Sequence, residues 1–93
     1  MYIYYDDRFI ERYLEIYQYI AEDSINRAEI FEKELKNAIL GATHYPYKHR
    51  KSKYFMSENI RDLIFKGYTI PFRIDEENNR LVILSIIKYR NNV

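Results

Sequence analysis

Two consecutive amphipathic stretches within residues 7–41 restrict the possible folds more than any other feature of the sequence. Both carry apolar residues three or four positions apart, which is the spacing of one face of an α-helix. In the first stretch the apolar residues come in pairs, Phe9/Ile10, Tyr13/Leu14, Ile16/Tyr17 and Ile20/Ala21. In the second they are Ile25, Ala28, Phe31, Leu35, Ala38 and Ile39. The pattern predicts two helices, each with an apolar stripe that belongs to the core.

Short polar residues mark where these two helices begin. Asp6 and Asp7 precede the first stretch, and Asp23 and Ser24 separate it from the second, so each helix has a residue able to cap its N-terminus. Gly41 stands where a helix C-terminus favours a residue that tolerates the left-handed region. Because only about two residues separate the helices, we expect them to fold back as an antiparallel hairpin.

Segments with strand character lie on both sides of the helical hairpin. They span residues 2–5, 59–65, 68–75 and 81–87. Pro71 lies inside the third of them and cannot donate to a ladder, so we expect the strand to be an edge or to bulge there. The last segment is apolar on both faces apart from Ser85, which favours a central strand. Pro46 forbids an ordinary helix in residues 42–55, which we interpret as a loop.

The order of these segments is β-α-α-β-β-β, which indicates an α+β fold. We expect the helical hairpin to pack on one face of a small antiparallel sheet. A chain of 93 residues is long enough for a single domain, spanning residues 1–93.

Composition excludes several classes of function. The absence of cysteine excludes a disulfide scaffold, a thiol nucleophile and a Cys-ligated metal. Two glycines cannot form a phosphate-cradling loop, and His44 and His49 alone are a poor zinc signal, so we predict neither cofactor nor metal. No apolar run has the length of a membrane span or a secretory signal, so we expect a cytoplasmic protein without membrane contact.

Basic residues concentrate in the second half of the chain. Residues 1–43 carry a balance of −4 and residues 44–93 a balance of +5, which gives +1 overall. If the last strands form a meander, several cations converge on one exposed surface that could hold a phosphate backbone, with an aromatic residue to stack on a base. The candidate binding residues are Arg61, Lys66, Arg73, Lys88, Tyr89 and Arg90. The alternative is that they are ordinary polar residues on a solvated sheet face.

A few apolar residues fall outside the predicted core. Tyr19 lies off the stripe of the first helix, and Ile30 and Leu40 lie off that of the second. Exposed apolar side chains on one surface indicate an interface, so the helical hairpin is expected to contact something besides its own sheet. Crowding in a small protein is the alternative. The aromatic residues of the predicted loop are expected to pack it against the sheet, and they are Tyr47, Tyr54 and Phe55.

The second half of the chain resembles a known family. Its segment NIRDLIFKGYTIPFRIDEENNRLVILSIIKYRNN, preceded by a strand and a helical hairpin containing IYQYIAED, is similar to the RelE/ParE superfamily of bacterial type II toxins. The features shared most specifically are Arg61-Asp62-Leu63, Gly67-Tyr68, FRIDEENNRLVIL and the basic-aromatic KYR. The resemblance covers nearly the whole chain.

The resemblance implies a toxin that is neutralised by a cognate antitoxin, whose C-terminal segment wraps the helical hairpin groove and the sheet. RelE-like members cleave messenger RNA on the ribosome, whereas ParE-like members inhibit DNA gyrase. By resemblance, Arg61 would hold phosphate in a cleaving member, and Lys88 and Arg90 would serve as general acid and transition-state cations.

Two departures from the cleaving pattern favour the ParE-like branch. Thr69 follows Gly67-Tyr68 where cleaving members usually carry an arginine, and the C-terminal tyrosine or His-Tyr ending is missing. The resemblance therefore implies a gyrase inhibitor, with an RNA endonuclease and an inactive toxin remnant as the alternatives.

Overall fold

The computed structural model describes residues 1–88, which form two helices and six strands. The helices are α1 (Asp7–Asp23) and α2 (Ile25–Ala42), and the strands are β1 (Tyr2–Tyr5), β2 (Arg50–Lys51), β3 (Ile60–Phe65), β4 (Tyr68–Asp75), β5 (Arg80–Ile83) and β6 (Ile87–Lys88). A short 3₁₀ helix covers Pro46–Lys48. The predicted α+β class and the helical hairpin are confirmed.

Side-chain caps separate the two helices as the sequence predicts. The Asp6 carboxylate accepts the Arg8 N–H at 2.9 Å and begins α1. Ser24 ends α1, and its hydroxyl accepts the Arg27 N–H at 3.1 Å to begin α2. The prediction for Gly41 is wrong, because α2 continues past it and ends at Thr43 in a right-handed conformation. The Thr43 hydroxyl satisfies the Leu40 carbonyl at 2.6 Å, so no left-handed residue is required.

The strands form one mixed sheet in the order β1-β5-β4-β3-β2, with β6 also paired to β4. The β3-β4-β5 meander is antiparallel as expected, whereas β1 pairs with β5 in parallel. The sheet is therefore not antiparallel throughout. The reason is topological, since the chain leaves β1 for the helices and returns beside it only after the meander.

A bulge interrupts the predicted last strand opposite Pro71. Phe72 pairs with Ile83 and Thr69 pairs with Ile87, so three residues of the last strand face only two of β4. The Leu84 N–H donates to the Pro71 carbonyl at 2.9 Å within this bulge. A single strand over residues 81–87 was therefore the wrong expectation. The expectation for Pro71 was also wrong, because β4 is neither an edge nor bulged, and the extra residue lies in the strand opposite Pro71.

The predicted loop over residues 42–55 contains a strand that sequence reasoning missed. Arg50 and Lys51 pair with Asp62 and Arg61 and form the edge of the sheet. The Asp62 carboxylate is fully buried, accepts the Lys53 N–H at 3.1 Å and lies 3.4 Å from Arg50 Nε. These contacts fasten residues 50–53 to β3.

The core lies between α2 and one face of the sheet. Its largest fully buried side chains include Leu35 and Ile39 of α2 together with Ile70, Phe72, Leu81, Ile83 and Ile86 of the sheet and bulge. Helix α1 packs chiefly against α2 and contributes only Phe9 to the buried set. Ile10 and Leu14, predicted as core, are 42% and 49% exposed. That prediction was wrong because α1 meets the core along only one side of its stripe, through Phe9 with Tyr13, Ile16 and Ile20 partly buried.

The two leucines of α2 provide a matched test of this packing. Leu35 is 2% exposed, whereas Leu40 is 55% exposed in the same helix. We expect Leu35→Ala to lower the free energy of unfolding by about 2–5 kcal/mol, because it leaves a cavity under the sheet. Leu40→Ala should change it by less than about 0.5 kcal/mol. Urea unfolding followed by circular dichroism measures both, and equal losses would contradict the assigned core.

Candidate functional site

The predicted cations do not share one surface. Arg61 lies directly opposite Phe72 in the register of β3 and β4, and residues opposite each other point to the same face. The Phe72 side chain lies in the core beneath the helices, so Arg61 is on the helix face of the sheet. Arg73 is the next residue of β4 and therefore points to the opposite face. Lys88 pairs with Tyr68 on the helix face, near α1. The expected convergence of Arg61, Arg73 and Lys88 is wrong, because strand register, which the sequence does not state, decides the face.

Arg61 is occupied by contacts within the protein. Its Nε donates to the Glu58 carbonyl at 3.1 Å, and its Nη1 donates to the carbonyls of Tyr47 and His49 at 3.2 and 3.1 Å. Its guanidinium also lies 5.0 Å from the centre of the Tyr47 ring. Only 14% of the side chain is exposed. The guanidinium therefore fastens the Pro46–Lys48 turn to β3.

Two other predicted cations are paired with carboxylates. Lys66, in the β3-β4 turn, forms an ion pair with Glu34 of α2. Arg73 lies 3.8 Å from Asp75 and is 42% exposed. Asp75 also accepts from Arg80 at 2.8 Å, and hydrogen bonds from Asn78 and Arg80 hold the pKa of its carboxyl below the usual range.

The last three predicted residues lie at the end of the chain. Lys88 is exposed and lines a depression beside Arg12, Glu15 and Tyr19 of α1. The predictions for Tyr89 and Arg90 fall outside the described residues.

A groove of about 230 Å³ runs between α1 and α2, and its lining is almost wholly apolar. We call it the hairpin groove. Its floor is buried, whereas Ile10 and Leu14 form an exposed rim. The lining residues are Tyr5, Phe9, Ile10, Tyr13, Leu14, Glu32, Leu35, Lys36 and Ile39. The groove exists because α1 leaves much of its apolar stripe uncovered.

Tyr13 brings a polar group into the hairpin groove, near Glu32. Its hydroxyl is buried beside the Glu32 carboxylate, although no hydrogen bond of standard geometry joins it to the described residues. Burial raises the pKa of the Tyr13 phenol, and the nearby Glu32 carboxylate raises it further. Since Glu32 already presents an acceptor to this hydroxyl, the groove would attract a ligand chiefly through its apolar lining.

The sequence contained only part of the signal for this surface. The exposure expected for Tyr19, Ile30 and Leu40 is confirmed, at 76%, 46% and 55%. The hairpin groove instead uses the stripe residues Ile10 and Leu14, which the helical periodicity places in the core. The sequence feature that could have indicated the hairpin groove is the width of the apolar stripe on α1, which has two adjacent apolar residues at every turn.

The described residues contain no group of three or more histidine, cysteine or acidic side chains close enough to hold a metal ion. His49 packs edge-on against Phe72, and burial, with the nearby Lys48 charge, lowers the pKa of its imidazole.

Neither α1 nor α2 has the length and apolarity that crossing a bilayer requires.

The fold is similar to solved toxin structures. The isolated RelE toxin of E. coli superposes with a TM-score of 0.68 at 14% identity, covering 98% of this chain and 86% of that one. The toxin in the intact E. coli RelBE toxin–antitoxin complex gives 0.67 at 14% identity, covering 97% and 98%. The chromosomal ParDE system of P. aeruginosa gives 0.64 at 13% identity, covering 97% of each chain. At these identities the likeness concerns the fold.

Membership of a family rests on the sequence. No curated protein matches it. The model of the ParE toxin of the type II toxin–antitoxin system parDE, however, matches residues 3–93. Since the match spans almost the entire chain, and the fold is that of RelE and ParDE toxins, the chain belongs to the ParE toxin family of type II toxin–antitoxin systems.

Proposed function

We propose that this toxin arrests growth by inhibiting DNA gyrase and is neutralised by a cognate antitoxin. Two observations support the proposal. The chain belongs to the ParE family, and its Arg61 guanidinium, which a cleaving toxin would use to hold phosphate, instead donates hydrogen bonds to three backbone carbonyls. Because gyrase acts in the cytoplasm, we also place the protein there.

The dispersed cations argue against RNA cleavage. Stabilising the charge that develops at phosphorus requires several donors aimed at one point. Arg61 is held by the Pro46–Lys48 turn, and Arg73 lies on the other face of the sheet. Thr69, at the position after Gly67-Tyr68, is 2% exposed and offers no charge. A toxin that blocks a protein target needs no such arrangement.

The hairpin groove is the surface we assign to the antitoxin. Its lining is mostly apolar, and its rim residues Ile10 and Leu14 are half exposed. An amphipathic helix that buries its apolar face there fits this chemistry. The solved RelBE structure is a toxin–antitoxin complex of a related fold, which supports a cognate antitoxin as the partner.

Substitution on the groove rim tests the antitoxin surface. We expect Leu14→Glu to weaken antitoxin binding at least about tenfold, because a carboxylate would be buried in an apolar contact. Ile64→Glu is the matched control, since Ile64 is 55% exposed on the opposite face of the sheet. Isothermal titration with the cognate antitoxin measures both. Equal weakening by the two variants would show that the antitoxin binds elsewhere.

The target is tested with two assays on the same preparation. We expect the toxin to abolish supercoiling by purified gyrase and to leave a defined message intact on translating ribosomes. Adding antitoxin should restore supercoiling. Codon-phased cleavage with unaffected gyrase would reverse the assignment. Activity in neither assay, with no slowing of growth, would identify an inactive toxin remnant.

One observation keeps the ribosome-dependent endonuclease as the second candidate. Lys88, which the resemblance makes a possible general acid or transition-state cation, is exposed and forms no ion pair within residues 1–88. In that case Arg61, Lys88 and Arg90 would act on the phosphate.

Arg61→Ala separates a structural role from a catalytic one. We expect it to lower the free energy of unfolding by about 1–3 kcal/mol, because three carbonyls lose a charged donor. Lys33→Ala, at an exposed position of α2, should change it by less than about 0.5 kcal/mol. Thermal unfolding measures both. A variant that is as stable as the parent but no longer arrests growth would instead place Arg61 in the activity.

A further inference from the structure

We propose that a second groove, on the other side of α1 from the hairpin groove, binds the phosphate backbone of single-stranded nucleic acid. It lies between the first half of α1 and the bulged segment after β5. We call it the α1 basic groove and define it by the residues that carry the argument, which are Arg8, Arg12, Tyr54, Phe55 and Lys88. The inference goes beyond gyrase inhibition and does not require it.

The α1 basic groove consists of two adjoining depressions that share Arg12. The first has a volume of about 420 Å³ and is lined by Arg8, Arg12, Tyr54 and Phe55, among others. The second has a volume of about 290 Å³ and includes Arg12 and Lys88. Arg8 and Arg12 are one helical turn apart, about 6 Å along the axis. Three cations therefore follow one continuous path rather than a single point.

These cations contribute little to the stability of the fold. Within residues 1–88, Arg8, Arg12 and Lys88 have no carboxylate within 4.0 Å. Arg8 also lies in the first turn of α1, where the positive end of the helix disfavours a cation. Of the two acidic residues that line the groove, Asp6 is used as the N-cap and Glu15 is exposed. The placement of Arg8 against the helix dipole, in line with two further cations that form no ion pair within residues 1–88, indicates an anionic ligand.

The bulge opposite Pro71 is what brings Lys88 to this groove. It inserts one residue between β5 and β6, so Lys88 pairs with Tyr68 and lies on the helix face. Without the extra residue, side chains would keep alternating from Ile83, and Lys88 would lie on the opposite face. Bulges re-aim side chains beside functional sites in this way.

Exposed aromatic rings favour a nucleic acid over an acidic protein. Tyr54 and Phe55 are 50% and 37% exposed in the first depression, and Tyr19 is 76% exposed in the second. Stacking of bases on such rings, beside cations that follow a backbone, is how single strands are bound without sequence preference. Tyr54 and Phe55 were expected to pack the loop, and their exposure leaves them available for stacking.

The experiment measures binding of the full chain to a fluorescein-labelled oligothymidylate by anisotropy, over a range of salt concentrations. We expect Arg8→Gln/Arg12→Gln to weaken binding at least about tenfold and to reduce the salt slope by about 0.7 for each lost phosphate contact. Tyr54→Ala/Phe55→Ala should weaken binding roughly tenfold with the salt slope unchanged. Lys33→Gln/Lys48→Gln removes the same charge outside the groove and should leave affinity near that of the parent. Circular dichroism checks that each variant is folded.

Three outcomes would overturn the proposal. The parent chain could fail to bind the oligonucleotide, or the control could weaken binding as much as the arginine variant does. Polyglutamate at equal charge could displace the oligonucleotide completely, which would assign the groove to an acidic protein. None of these results depends on gyrase, so failure of the supercoiling assay and failure of this test are distinguishable.

Discussion

The packing of α2 on the sheet is the interaction on which the remaining features depend. Leu35 and Ile39 meet Ile70, Phe72 and Leu81 in a core that excludes solvent. Helix α1 packs mainly against α2 and meets the core along only one side of its apolar stripe. Its apolar stripe is only partly buried, and the hairpin groove follows directly. The surface we assign to the antitoxin is thus a consequence of how few residues the core requires.

Local chemistry made the elements predictable. Asp6 and Ser24 cap the helices as their side chains dictate, and the bulge lies opposite Pro71, which cannot donate. Such features depend on a few neighbouring residues, which the sequence states directly. Strand β2 was missed because two residues carry no periodicity, and only the buried Asp62 carboxylate shows why they pair.

The candidate site was less predictable because it depends on register and on pairing. Arg61 and Arg73 lie on neighbouring strands, yet the pairing of Arg61 with Phe72 puts them on opposite faces. Whether a cation is free also depends on its surroundings. Arg61 looks like a phosphate ligand in the sequence, but its guanidinium serves the carbonyls of Tyr47 and His49. The net charge of a sequence counts every cation equally, whereas the structure shows which cations are already held by contacts within the protein.

The departures from local rules concentrate at one place in the molecule. A cation in the first turn of α1, a proline inside β4 and a bulge in the last strand each lower stability when considered alone. Arg8 lines the α1 basic groove, while Pro71 and the bulge bring Lys88 to it. Pro71 and the bulge opposite it form one connected feature, so two separate departures from local rules, this feature and the Arg8 cation, meet at a single surface. Natural sequences break local rules chiefly where function requires it. Helix α1 therefore separates two surfaces of opposite character, and its weak burial leaves both sides open to a ligand.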